Sequence, residues 1–167
     1  MAKPTRDALP LTIAVAVIAA AGIVLGFIFN SPATALLLLL PTIAYEIYRV
    51  EGDSTRYAAW GLLGVVIVEL ALLLFNVTFD LASFLNTDSQ YIQGYEVPLA
   101  DIKVIGPILL AILAVVLFKN TRGRYTKALS VVIIVAAFAI VFMLNPEIFN
   151  QMLRVAGQEG VQLFNNL

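Results

Sequence analysis

Five predominantly apolar runs dominate the chain, at residues 11–29, 33–48, 57–77, 104–118 and 128–144, and they hold only two of its 21 charged residues, Glu46 and Glu69. A bilayer core of about 30 Å takes about 20 apolar helical residues to cross, so the first, third and fifth runs suffice alone. The second and fourth reach that length with their flanks, as 31–50 and 99–119, with Arg49 and Lys103 snorkelling toward the headgroups. Continuous apolar runs argue for helices; barrel strands would alternate apolar with polar residues. The predicted fold is an all-α, polytopic bundle of five transmembrane helices over residues 1–145, followed by an amphipathic C-terminal helix or tail over 146–167. Pro41 and Pro107 fall inside spans, where neighbouring helices can satisfy the freed carbonyls.

Composition agrees with that partition, at 61% hydrophobic and 13% charged in 167 residues. A net charge of −1 gives no basic excess for nucleic acid. With no Cys and no His, disulfides, thiolate chemistry, His-ligated haem and the commonest zinc ligand are all missing. No metal site, resident cofactor or catalytic residue is predicted; lipid, quinone or pigment held by apolar contact is still compatible with the composition.

The basic residues orient the bundle. Placing the N-terminus in the cytoplasm gathers Lys3, Arg6, Arg49, Arg56, Lys119, Arg122, Arg124 and Lys127 on the inner side and leaves Lys103 and Arg154 outside. The expectation is a multi-pass cell-membrane protein with its C-terminus on the outer side. The first run, about 19 residues, exceeds the 7 to 15 of a signal-peptide core and reads as a span. The 78–98 segment reads as a short interfacial helix followed by an irregular stretch, and Asn145 as the cap of a helix that has Pro146 at its first position.

Glu69 is the most informative side chain. It lies about 20 Å of helix rise beyond Arg56 and must face protein or water. Thr34, Thr42 and the Leu37 carbonyl freed by Pro41 are its expected partners on the second helix. It serves either as an interhelical hydrogen-bonding group or as a proton or cation site. Glu46, one turn from Arg49, reads as half of a hydrated interfacial ion pair. Gly22 and Gly26 form a small-xxx-small face suited to packing within the bundle, and Gly61 and Gly64 with Ala58 form another, serving a different contact.

Without an inventory of acid–base and nucleophilic groups at depth, the chain reads as a non-enzyme. The expected role is an accessory or structural subunit of a larger membrane complex, contacting other integral membrane subunits and lipids, with oligomerisation as a further option. The alternative is a small proton- or cation-coupled transporter or channel component using Glu69.

Overall fold

A computed structural model describes residues 7–77, 89–92, 95–98, 102–147, 149 and 150. Five long helices carry the fold: α1 (Ala8–Ile28), α2 (Pro32–Arg49), α3 (Asp53–Leu74), α4 (Ile102–Asn120) and α5 (Arg124–Leu144). Four of them, with α3 counted over Thr55–Leu74, are long and apolar enough to cross a membrane, as the helices of a membrane protein are. The fifth, α2, is shorter at 18 residues and carries Glu46 and Arg49 near its end. Between α3 and α4, β1 (Ser89–Ile92) pairs antiparallel with β2 (Tyr95–Pro98) in the register Ser89↔Pro98 to Ile92↔Tyr95. This hairpin replaces the irregular stretch expected there. The interfacial helix expected earlier in that segment, and the tail beyond Asn150, lie outside the described residues.

The turns explain why the helices stop where they do. Asn30 and Asn76 adopt positive φ, 47° and 48°, in the left-handed region that Asn tolerates better than most residues. At each, the next amide reaches back to a helix carbonyl, Ser31 N–H to Gly26 and Val77 N–H to Leu72, both at 2.9 Å. The α1–α2 connection is therefore a tight reversal, with Pro32 at the first turn of α2. Gly52, at φ 111°, turns the chain into α3. Asn145 caps the next helical turn as expected, its Oδ1 accepting the Glu147 N–H at 3.0 Å.

Consecutive helices pack side by side, and α5 closes the arrangement by packing on both α1 and α2. At one end of the bundle the Tyr45 hydroxyl donates to the Ala8 carbonyl at 3.5 Å, and the Arg49 guanidinium lies 5.6 Å from the centre of the Tyr125 ring. At the other end Phe27 meets Phe142 with centroids 5.9 Å apart, and Lys103 Nζ donates to Asn76 Oδ1 at 3.1 Å. Fully buried Leu36, Leu39, Ile43, Leu62, Leu110, Leu117, Ile133 and Ile140 fill the space between. The outward faces stay apolar, with Ile13, Val17, Ile67, Val68, Ile112 and Val135 exposed, as lipid-facing helices require.

Candidate functional site

Two acids occupy the interior, and the helical repeat puts them there. On α3, Ala59, Leu62 and Val66 are buried at spacings of three and four, and the next step of the stripe is Glu69, 1% exposed. On α2 the same progression runs Leu36, Leu39, Ile43, Glu46, and Glu46 is 0% exposed. Each carboxyl continues an apolar stripe and is carried into the core with it.

Glu69 faces α4. A Cβ built on Gly106 would lie 2.7 Å from Glu69 Cδ and 3.1 Å from its Cγ, and closer still to the carboxyl oxygen. The carboxyl therefore occupies the space that a side chain at 106 would take, beside Pro107, whose ring removes one N–H from the α4 ladder. Two of the three expected partners on α2 are engaged elsewhere. Thr42 Oγ1 donates across the bundle to the Val15 carbonyl at 3.0 Å, Thr34 Oγ1 to Ser31 Oγ at 3.1 Å, and Leu37 lies on the half-exposed outer side of α2. Glu69 lies inside, as its depth in the sequence implied, with its carboxyl against α4, where α2 had been expected. Periodicity specifies which face a residue shares and leaves open which helix covers that face.

Beside Glu69 a groove of about 470 Å³ opens between α3 and α4, lined by Gly61, Gly64, Val65, Val68, Leu72 and Gly106 among others. Its volume falls within the roughly 300–1,000 Å³ of small-molecule pockets. The glycines make the groove. Among the described residues a Cβ on Gly64 would meet nothing within 4 Å, and one on Gly61 would reach only the tip of Leu113, at 3.4 Å.

Gly22 and Gly26 differ sharply. A Cβ at Gly22 would lie 2.6 Å from Leu38 Cβ, and one at Gly26 would lie 3.1 Å from Ala35 Cβ and 3.0 Å from the Met143 methyl. These two glycines let α1 approach α2 and α5, so this face works inside the bundle while the Gly61 and Gly64 face looks out. Gly22 and Gly26 thus lie against neighbouring helices of the bundle, and Gly64 does not among the described residues.

Glu46 was expected at a hydrated interface and lies in the core. Its Oε1 is 3.3 Å from Ser130 Oγ on α5, 84 residues away, while its Oε2 is buried with no hydrogen-bond partner among the described residues. Ser130 Oγ also lies 3.0 Å from the Thr126 carbonyl. Arg49, one turn on, interacts with Glu46 electrostatically from the same helix. The spacing of Glu46 from Leu39 and Ile43 was the signal that could have revealed this burial.

Among the described residues no group of three or more His, Cys, Asp or Glu could hold a metal ion. Chemically, the interior offers two carboxyls in separate helix seams, Glu46 between α2 and α5 and Glu69 between α3 and α4. No known family, curated protein or solved structure matches this chain.

Proposed function

We propose that the protein is an accessory subunit of a larger membrane assembly, crossing the bilayer five times and offering the α3–α4 groove to a transmembrane helix of a neighbouring subunit. The groove itself carries this reading. Small residues on a lipid-facing helix are where a second helix can approach closely, and Gly64 has no neighbour among the described residues to explain it. Both interior acids lie in seams between helices of the same chain, a placement suited to bracing a scaffold. Neither belongs to a described polar path through it.

Five crossings follow if α2 spans with the rest. It covers about 27 Å by helical rise and lies along α1 from Ala35 beside Gly26, through Thr42 on Val15, to Tyr45 on Ala8. An odd number of crossings sends the termini to opposite sides. The end of the bundle carrying Arg49, Arg56, Lys119, Arg122, Arg124 and Lys127 is then cytoplasmic under the positive-inside rule, with the C-terminus outside a cell membrane.

The test is extraction in mild detergent, followed by native electrophoresis and mass spectrometry of the intact species. Co-migration with other integral membrane proteins is expected, and its loss in Gly64→Leu would locate the contact. A stable, partner-free monomer from native membranes overturns the proposal. The second reading, proton or cation coupling through Glu69, draws on the position of that carboxyl beside the groove. In proteoliposomes it requires a flux that Glu69→Gln abolishes; unchanged flux, or none in either form, removes it.

A further inference from the structure

We propose that the elbow joining α4 to α5 binds the phosphate headgroup of an anionic phospholipid. Residues 119–127 contain Lys119, Arg122, Arg124 and Lys127 and no acid. Lys119, Arg122 and Arg124 are exposed, and half-buried Lys127 is steadied by its ammonium lying 5.4 Å from the centre of the Phe118 ring. Arg49 and Arg56 belong to the same end of the bundle. The exposed acids there, Asp7, Glu51 and Asp53, lie on other segments, and Glu46 is buried. Guanidinium groups match phosphate oxygens in pairs, and ammonium groups add point charge.

What selects a lipid over a soluble anion is the surface that continues from the charges. Ile112, Val115 and Val116 are exposed seven, four and three residues before Lys119, so they share its face of α4 and form an apolar track running down from the cationic elbow. An amphiphile with an anionic head and an acyl chain fits both parts at once. Clusters of four or more basic residues at the end of a membrane helix attract anionic lipid in this way.

The experiment reconstitutes the full chain in phosphatidylcholine vesicles containing a trace of acyl-spin-labelled phosphatidylglycerol or phosphatidylcholine, and compares the motionally restricted fractions. Phosphatidylglycerol should be preferred about fivefold at low salt, the factor that one cation at an anionic headgroup supplies. The preference should fall toward parity in 0.5 M sodium chloride, where the Debye length drops well below 10 Å. Arg122→Gln/Arg124→Gln and, separately, Lys119→Gln should lower it, while Arg56→Gln at the same end keeps most of it. Parity in the unmodified protein overturns the proposal and leaves the elbow to an acidic protein segment. So does an equal loss in Arg56→Gln, which would reveal only diffuse charge. Displacement by inorganic phosphate beyond that by chloride at equal ionic strength would make the elbow a soluble-anion site and overturn the lipid assignment.

Discussion

The Glu69 carboxyl fills the space where Gly106 lacks a side chain, so that a Cβ at position 106 would come within 2.7 Å of Glu69 Cδ. Overpacking of this kind costs typically about 1–3 kcal/mol. Gly106→Ala should therefore destabilise the bundle by about that amount in a reversible unfolding titration in mixed micelles. Glu69→Ala/Gly106→Ala should lose less than the two single substitutions together, with a coupling of at least about 1 kcal/mol. Additive losses would mean that the two positions do not share this space.

The glycines of α1 and α3 should respond in opposite directions to one substitution. Gly22→Ala drives a Cβ to 2.6 Å from Leu38 Cβ, an atom fixed to the backbone of α2, and should cost about 1–3 kcal/mol. Gly64→Ala meets nothing and replaces the poorer helix former, so the isolated chain should gain up to about 1 kcal/mol. Thermal melts in one detergent check both signs. If the groove receives a partner helix, Gly64→Ala will weaken co-purification while stabilising the chain alone, a separation that a purely internal role for Gly64 cannot produce.

The helices were legible because hydrocarbon excludes charge. The run 11–29 became Ala8–Ile28, lengthened at its start by Ala8, Leu9 and Pro10, and the run 128–144 became Arg124–Leu144, whose first turn is polar. Burial of Glu69 was legible for the same reason. Its neighbour was not, because the α3–α4 pairing is set by packing around Gly106, and a glycine in an apolar run announces close approach without naming the group that approaches. Glu46 was misplaced by weighing its sequence distance from Arg49 above its position on the Leu36–Leu39–Ile43 stripe. Local electrostatics suggested water, and the packing face decided otherwise. The 89–98 hairpin followed a segment whose aromatic content suggested an interface and gave no clear strand alternation.

Thr42 ties α2 to α1 through a hydrogen bond of 3.0 Å to the Val15 carbonyl. The acceptor is a carbonyl inside α1 that the helix ladder already engages, and measured side-chain bonds between membrane helices average only about 0.6 kcal/mol and reach about 1.7. Thr42→Val keeps the shape of the residue and removes the hydroxyl. A loss within that range in unfolding titrations is expected, while Thr34→Val, whose partner Ser31 lies in the adjoining turn, should cost less.

The contact between Glu46 and Ser130 yields a prediction whose sign comes from counting protons. The Ser130 hydroxyl has one proton and two acceptors in reach, the Thr126 carbonyl at 3.0 Å and Glu46 Oε1 at 3.3 Å, so it cannot serve both as donor. In Glu46→Gln the side-chain amide can donate to Ser130 Oγ while the hydroxyl donates to Thr126, and both contacts are made at once. That substitution should be neutral or stabilising. Ser130→Ala strips the buried side chain at 46 of its α5 partner and should cost about 1–3 kcal/mol. In a double-mutant cycle the loss from Ser130→Ala should be smaller in the Glu46→Ala background, where no polar group is left behind. Equal losses in both backgrounds would show that Ser130 serves α5 alone, through its bond to Thr126, and that α2 and α5 are held together by apolar packing.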